Sequence, residues 1–251
     1  MAEITAKSVM ALREKTGVSM MACKEALVEA QGDEEAAIKI LREKGMAKAA
    51  KKADRETKEG AVSFAGKSII SLNCETDFVA NNQDFKDFVV RLAEAGENAE
   101  QTFEAEKAEM ITKLGENISF GGEKTLSKGD TFGGFIHFNS KVGAIVALEG
   151  GDEELAKEVA MHIVATNPLV LSPADIDQEL LAKEKEIWQK ELENSGKPEK
   201  IWENIMQGKE KKFASENALV SQGFVKDPSM TIEQLVAQKG AKVVDFIRME
   251  V

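Results

Sequence analysis

Two segments in the middle of the chain repeat one order of residue types. The segments GAVSFAGKSIISLNCETDFVANNQDFKDFVVRLAEA (60–95) and GFIHFNSKVGAIVALEGGDEELAKEVAMHIVAT (134–166) each contain an alternating run that ends in Phe, a turn with Lys, an apolar run and a helical pattern. Two strands around a tight turn form a β-hairpin, which places the turns at Ala65-Gly66 and Asn139-Ser140. The repeat therefore predicts a pseudo-symmetric α+β core of two subdomains, each with a hairpin followed by a helix.

The first part of the chain (residues 4–45) has the pattern of three short helices. Each follows a small polar residue that can cap it and stops at a glycine, in the pairs Thr5/Gly17, Ser19/Gly32 and Asp33/Gly45. Three such helices would form a small bundle with a thin core. The following stretch, MAKAAKKADRETKEG (46–60), is rich in Ala and Lys and has no apolar stripe, which predicts a solvated helical tether.

The second subdomain carries a helical insertion. DQELLAKEKEIWQKEL and KIWENIMQGKEKKF have apolar pairs at a spacing of about 3.5 residues, which is typical of a coiled coil, and the residues between them supply a turn. Between the two repeats, a charged segment has the pattern of a helix that ends at Gly115, and the glycine-rich stretch FGGEKTLSKGDTFGG is predicted to form turns. Near the end of the chain we predict a helix in MTIEQLVAQKG and a final strand in AKVVDFIRMEV. The predicted domains are a three-helix module (1–52), a basic tether (53–59), a first core subdomain (60–132), a second core subdomain (133–177 and 223–251) and an antiparallel coiled-coil hairpin (178–222).

Composition excludes several classes of protein. The formal charge is −11, from 33 basic and 44 acidic residues. This balance argues against nucleic acid as the main ligand, because phosphate contacts require clustered Lys and Arg. Cys23 and Cys74 lack CxxC spacing, so we expect neither a disulfide framework nor a zinc site, but a reducing cytosol. The charged N-terminus is unlike a signal peptide, and no apolar run approaches the roughly 20 residues of a membrane helix. We expect a cytoplasmic protein with no membrane partner.

Signatures of catalysis are missing from the sequence. His137 and His162 lie on different predicted elements, with no Cys or carboxylate at metal-ligand spacing. His162 most simply packs within a helix, and His137 belongs to the first strand of the second hairpin. No G-x-S-x-G, Walker A or G-x-G-x-x-G motif occurs. The sequence therefore favours a binding protein over an enzyme, and we expect no catalytic residue, metal or cofactor.

One motif is not explained by the repeat. In SIISLNCETDFVANNQDF, residues Thr76–Val79 follow a predicted strand and precede a predicted amphipathic helix. Segments between rigid elements often carry binding groups. A structural interpretation makes Asp77 the cap of the helix and Phe78 a core residue. The second copy of the repeat has only Gly-Gly-Asp-Glu-Glu here, which favours the functional interpretation, in which Asp77 and Phe78 are exposed.

Several short motifs occur in an order that matches a known family. They are MMACKEAL after REKTG, AAIKILREKG followed by AKAAKKA, NCETDFVA, LGENI, AMHIVATNP and the closing FIRMEV. Over essentially the whole chain they resemble the translation elongation factor Ts family, and NCETDFVA is the most specific of them. The resemblance implies a three-helix, ubiquitin-associated-like N-terminal module, a two-part α+β core and a helical hairpin insertion.

The same resemblance implies a function. The family consists of guanine-nucleotide exchange factors for elongation factor Tu, so this protein would bind the GDP-bound and nucleotide-free forms of that GTPase and promote GDP release. The segment Thr76, Asp77, Phe78 and Val79 matches the one that dislodges the partner's magnesium ion, with Asp77 and Phe78 pushing in near its phosphate site. The positions that match other partner contacts are Arg13, Met20, Met21, Lys24, Leu114 and His137.

Two other functions are compatible with the sequence. A ubiquitin-associated-type scaffold would recruit proteins through the helical hairpin without affecting nucleotide, and it would tolerate Ala at Asp77 and Phe78. An RNA-binding adaptor would use the lysines of residues 44–58 and would bind RNA with strong salt dependence. Met20 and Met21 fit a core position as well as they fit a contact surface.

Overall fold

Helices and short antiparallel hairpins alternate along residues 4–251, the part of the chain that the computed structural model describes. The chain divides into two units, one comprising Met1–Lys124 with Glu250–Val251 and the other Thr125–Met249. The α+β class predicted from the sequence is confirmed. None of the helices in this range combines the length and the apolar composition that a membrane span requires.

The first unit starts with a helical bundle and continues into a three-stranded sheet. In chain order its elements are α1 (Ala6–Thr16), α2 (Met20–Glu29), α3 (Glu34–Lys52), β1 (Glu59–Ala65), β2 (Ser68–Cys74), α4 (Asp77–Ala80), α5 (Gln83–Ala95), α6 (Ala99–Leu114) and β3 (Ile118–Thr125). The three predicted caps form, because Thr5, Ser19 and Asp33 each accept a hydrogen bond from the third backbone N–H of the following helix. A core that includes Leu12 and Ala26 joins α1, α2 and α3.

The helix α3 is longer than the sequence predicts. It passes through Gly45, so the predicted stop at this residue is wrong, and it ends at Lys52. The first part of the predicted helical tether is therefore the end of α3, and most of its side chains are exposed. Ala and Lys have helix propensities high enough to carry a helix past one glycine. Gly45 faces α6, where an added Cβ would lie 2.6 Å from Thr112 Oγ1. The glycine thus allows two helices to approach closely, and Ala49 packs against the core further along α3.

The sheet of the first unit has the order β1-β2-β3, with β2 in the centre. β1 and β2 pair antiparallel, and the turn lies at Gly66-Lys67, one residue later than predicted, where Gly66 has a φ of +54°. The predicted amphipathic helix is α5, whose side chains Phe85, Phe88 and Leu92 are completely buried. Their burial fixes α5 against the hairpin and holds the segment before it in place.

The second unit repeats the hairpin-and-helix order of the first. Its elements are β4 (Thr131–Ile136), β5 (Val142–Glu149), α7 (Glu153–Thr166), α8 (Gln178–Glu193), α9 (Trp202–Asn217), β6 (Gly223–Phe224), β7 (Asp227–Thr231), α10 (Ile232–Gln238) and β8 (Lys242–Glu250). β4 and β5 pair antiparallel around a loop that contains the predicted Asn139-Ser140 turn, and the predicted final strand completes the order β4-β5-β8. The sequence repeat therefore corresponds to two hairpin-and-helix units.

The glycine-rich stretch predicted as turns is mostly strand. It supplies the end of β3 and the start of β4, with turn residues only between them. Its glycines have close neighbours: Gly121 lies against Ser71 of β2, and a Cβ at Gly133 would be 2.7 Å from Ala156 Cβ in α7. A glycine inside a strand often marks such a close approach. The prediction of turns was wrong because glycine is typical of both situations.

The helices α8 and α9 pack on each other in the second unit. The Trp188 and Phe213 rings contact edge to face, with centroids 5.8 Å apart. Lys185 Nζ and Glu210 Oε2 form an ion pair of 2.9 Å between the two helices. The apolar positions that the sequence pattern picked out thus supply the contact between α8 and α9.

Candidate partner-binding site

The motif Thr76–Val79 lies at a single helical turn, α4, directly after β2. Thr76 has an extended backbone with φ −130° and ψ 158°. Its Oγ1 accepts a hydrogen bond from the Val79 N–H at 3.4 Å, which makes Thr76 the N-cap of α4. Asp77 and Phe78 are therefore the first two residues of the turn.

The two asparagines after the motif separate α4 from α5. The Asn81 N–H donates to the Asp77 carbonyl oxygen at 2.9 Å and closes the turn. Asn82 has an extended backbone, and its Oδ1 accepts a hydrogen bond from the Asp84 N–H at 2.8 Å as the N-cap of α5. The helix α4 is thereby limited to four residues, and Asp77 and Phe78 lie on a short, defined turn.

The start of the motif is held by the connection between α6 and β3. The Glu116 carboxylate accepts hydrogen bonds from the Thr76 N–H at 3.0 Å and from the Thr76 hydroxyl at 2.6 Å. Glu75 accepts a hydrogen bond from the Asn117 N–H at 2.7 Å and also faces Arg55, whose Nη1 is 3.4 Å from the Glu75 carboxylate. Hydrogen bonds to a carboxylate are stronger than neutral ones, so this connection fixes the entry to α4.

The four residues of the motif differ in exposure. The Phe78 side chain is 84% exposed and Asp77 is exposed beside it, whereas Val79 is buried in the core of the first unit together with Ala80. The structural interpretation, with Asp77 as cap and Phe78 in the core, is wrong because Thr76 occupies the cap position. Asp77 and Phe78 are thus the two exposed residues of the motif.

A buried thiol lies beneath the motif. Burial, with a further contribution from the nearby Glu116 carboxylate, raises the pKa of Cys74 to about 12. The Cys74 Sγ also donates a hydrogen bond to the Thr76 carbonyl oxygen at 3.2 Å. A thiol that stays protonated is a poor nucleophile and a poor metal ligand, so Cys74 supports the turn without contributing chemistry.

The other residues of the first unit that match partner contacts lie outside α4. Arg13 is exposed on the last turn of α1, and Met20, Met21 and Lys24 are exposed at the start of α2. Met21 is 65% exposed and Met20 37%, so neither is a core residue. Leu114, at the end of α6, is half-buried against the core of the first unit.

His137 lies in the second unit, in the loop between β4 and β5, where the sequence predicts strand. The backbone N–H of His137 still donates to the Val142 carbonyl oxygen at 2.9 Å, but β4 ends one residue earlier, at Ile136. The side chain is half-buried, and its ring lies 4.3 Å from the ring of Phe138. His137 is thus accessible at the tip of the second hairpin.

The second histidine has a structural environment. His162 is completely buried on α7, where its Nδ1 accepts a hydrogen bond from the Val225 N–H at 3.2 Å and its Nε2 lies 2.9 Å from Gln222 Oε1. Burial lowers its pKa, although the hydrogen bond to Gln222 opposes this shift. Among the described residues, no three His, Cys, Asp or Glu side chains are grouped to hold a metal ion.

Two features of the site were missed by the sequence analysis. The contacts of Glu116 and Asn117 with Glu75 and Thr76 join residues about 40 positions apart, and no local pattern predicts them. Phe138 was assigned to a strand, but it lies in the turn and is 91% exposed. The sequence signal that could have revealed its exposure was its position directly before the turn-forming pair Asn139-Ser140.

The sequence was compared with known proteins. The family model described as Elongation factor TS matches residues 75–251, so the match begins directly before Thr76. Elongation factor Ts from Francisella tularensis subsp. novicida (strain U112) is 44% identical over 270 residues, covering 100% of this chain and 93% of the relative. The same values hold for Elongation factor Ts from subsp. mediasiatica (strain FSC147) and from subsp. holarctica (strain OSU18) of the same species. With full coverage of the chain at this identity, the protein belongs to the elongation factor Ts family.

Proposed function

We propose that this protein is a guanine-nucleotide exchange factor for elongation factor Tu and acts in translation elongation. Membership of the elongation factor Ts family supports the general function. The observation that carries the mechanism is the turn α4, on which Phe78 is 84% exposed, although Thr76 is hydrogen-bonded to Glu116 and Val79 is buried. Nucleotide exchange changes no covalent bond. The site is consistent with such a function, because it offers exposed binding groups and its thiol, Cys74, is buried and protonated.

The proposed target is the magnesium and phosphate site of the GTPase. GTPases hold GDP largely through backbone N–H groups and a Mg²⁺ ion around the phosphates. A phenyl ring that enters beside this site separates elements packed around it, and a carboxylate competes for the hydrogen bonds that hold the ion. In this proposal Phe78 supplies the ring and Asp77 the carboxylate, while Thr76 and Val79 hold the turn in place.

The rigidity of the turn matters for the energetics of exchange. A group that is fixed before binding loses little conformational entropy when the complex forms. The hydrogen bonds from Thr76 to Glu116 and the burial of Val79 provide this fixation. The exchange factor then binds the nucleotide-free GTPase better than the GDP-bound form, and by thermodynamic reciprocity it weakens GDP binding by the same factor.

The remaining matched residues are proposed as contacts that hold the two proteins together. Arg13, Met20, Met21 and Lys24 lie on either side of the α1–α2 connection, where exposed methionines and a basic pair form a surface suited to a partner. Leu114 would contribute from the end of α6. His137 would contribute from the second unit.

The proposal extends to the architecture. We propose that α1–α3 form the ubiquitin-associated-like module and that α8 and α9 form an antiparallel coiled-coil hairpin, with the domain limits given by the sequence analysis. The shared core of α1–α3 and the Trp188–Phe213 contact support these assignments.

Release of a fluorescent GDP analogue from elongation factor Tu tests the function. We expect the wild-type protein to accelerate release and the Asp77→Ala/Phe78→Ala variant to lose most of this acceleration while it still binds. The matched control is Val90→Ala, which removes an exposed apolar side chain on α5 of the same unit and should leave the rate unchanged. If the wild type does not accelerate release, the exchange function is wrong and a scaffold remains. If the double variant is as fast as the wild type, the function stands and the role of α4 is wrong.

A further inference from the structure

The tip of the second hairpin presents an aromatic side chain to which the proposed function gives no role. Phe138, in the loop between β4 and β5, is 91% exposed, even more than Phe78 at 84%. The chain has 12 phenylalanines, and these two are the exposed ones; the others are buried or half-buried. Isolated exposed aliphatic residues are common on protein surfaces, but a fully exposed phenyl ring in a tight turn is not required by the fold.

The loop that carries Phe138 is fixed by its own hydrogen bonds. The Ser140 N–H donates to the His137 carbonyl oxygen at 2.8 Å, and the Lys141 N–H donates to Asn139 Oδ1 at 3.0 Å. Ser140 has a φ of +59°, a left-handed conformation that several types of tight turn require. The Phe138 backbone is therefore ordered before any partner binds, and only side-chain rotations remain to be restricted.

The ring of Phe138 lies beside the ring of its neighbour in sequence, His137. Their ring centroids are 4.3 Å apart, with 43° between the ring planes, so the histidine covers part of the phenyl ring and leaves the rest open to solvent. A rigid aromatic side chain can bury a large apolar area with little loss of conformational entropy, which is why such residues dominate the binding energy of many interfaces. The His137–Phe138 pair has these properties on one short loop.

We infer that Phe138 is a further contact residue for elongation factor Tu, seated in an apolar depression on that GTPase next to the contact of His137. This inference rests on the proposed exchange function, because that function supplies the partner. Phe138 belongs to a different element from α4, and the two phenylalanines have different roles. Phe78 acts on the nucleotide site, whereas Phe138 contributes affinity to every form of the partner.

The difference in roles predicts different kinetic effects. When the exchange-factor concentration is varied, Phe138→Ala should raise the concentration for half-maximal GDP release by about tenfold or more, as truncation of a central aromatic contact does. The maximal rate at saturation should stay within about twofold of the wild type, because Phe138 favours no nucleotide state of the partner. Replacement of Asp77 and Phe78 should instead lower the maximal rate.

Two further variants make the test specific. Phe138→Tyr keeps an aromatic ring and should retain the wild-type half-maximal concentration within about twofold. Leu169→Ala removes another exposed apolar side chain of the second unit and should have no effect. Because Phe138 makes few contacts within its own chain, all variants should unfold at the wild-type temperature, which excludes misfolding as a cause of weaker binding.

Binding to nucleotide-free elongation factor Tu, measured by calorimetry, separates this inference from the proposed function. Weaker binding of Phe138→Ala than of Leu169→Ala, with normal binding of Phe138→Tyr, would support the contact even if exchange were slow. Equal binding by Phe138→Ala and the wild type, with normal GDP release by both, would overturn the contact and leave the exchange function intact.

Discussion

At the scale of the residue, Thr76 determines which side chains of α4 are exposed to solvent. Successive residues of a helix point about 100° apart, so a cap shifted by one position would rotate every side chain of a single-turn helix. With Thr76 as the cap, Val79 and Ala80 point into the core and Phe78 points outward. The Glu116 carboxylate fixes this choice through both the N–H and the hydroxyl of Thr76.

Removal of the Thr76 hydroxyl tests this role. We expect Thr76→Ala to lower the free energy of unfolding by about 1–2 kcal/mol, because the cap and the hydrogen bond to Glu116 are both lost. The maximal rate of GDP release should fall several-fold as Asp77 and Phe78 lose their fixed direction. Urea unfolding and GDP release measure the two effects, and Thr76→Ser, which keeps the hydroxyl, is the control. Unchanged stability in Thr76→Ala would show that the cap does not fix the turn.

Cys74 gives a prediction for alkaline pH. Burial raises its pKa to about 12, well above the roughly 8.5 of a thiol in an unfolded chain. The folded state keeps its proton where the unfolded state loses it. The contribution of the protonated Cys74 thiol to the free energy of unfolding is therefore fully present below about pH 8.5 and is lost as the pH rises toward 12.

This effect can be isolated by comparison with Cys74→Ala. The stability difference between wild type and variant should shrink above about pH 8.5 by up to about 1.4 kcal/mol per pH unit. Urea unfolding from pH 7 to 10 measures it, and other groups that titrate in this range cancel in the difference. A difference independent of pH would mean that the thiol ionises equally in both states.

At the scale of the element, the sequence predicted the positions of helices and strands wherever one periodicity dominated. The helix α5 was predictable because Phe85, Phe88 and Leu92 repeat at helical spacing, and the two hairpins were predictable because the same pattern occurs twice. Two of the errors occurred at glycines. Gly45 and Gly121 allow close packing against residues that are distant in sequence. A glycine that serves such a close approach looks the same in the local sequence as a glycine that ends a helix or forms a turn.

The packing of α3 on α6 can be tested with a double-mutant cycle. Gly45→Ala alone should give little or no stabilisation, because the gain of about 1 kcal/mol in helix propensity is opposed by a Cβ only 2.6 Å from Thr112 Oγ1. In a Thr112→Ala background the obstruction is gone, and the same substitution should stabilise by about 1 kcal/mol. Chemical denaturation of the four proteins measures the coupling. Equal effects of Gly45→Ala in both backgrounds would contradict the close approach.

In the candidate site, the exposed residues could be predicted from the sequence, but the residues that hold them in place could not. The comparison of the two repeat copies favoured the exposure of Asp77 and Phe78, since only one copy carries the motif. The residues that hold the motif were not predictable, because Glu116 and Arg55 reach it through the tertiary structure. Phe138 was missed because the strand β4 ends before it, and strand ends depend on pairing as well as on propensity.

At the scale of the whole molecule, the proposed activity depends on the thermodynamics of binding. An exchange factor of this kind breaks no bonds, so its activity depends on how much better it binds the nucleotide-free GTPase than the GDP-bound one. The contacts of α1, α2 and the β4–β5 loop would add affinity to both forms equally. In the proposed mechanism, Asp77 and Phe78 are the residues that distinguish the two forms.

The most direct test is therefore the ratio of the two affinities. The affinity of the wild-type protein and of Asp77→Ala/Phe78→Ala would be measured by calorimetry against nucleotide-free elongation factor Tu and against its GDP complex. We predict that the wild type binds the nucleotide-free form more tightly by a large factor and that the double variant loses at least tenfold of this preference, about 1.4 kcal/mol of coupling free energy. An undiminished preference in the double variant would contradict the proposed role of Asp77 and Phe78 and locate the discrimination outside α4.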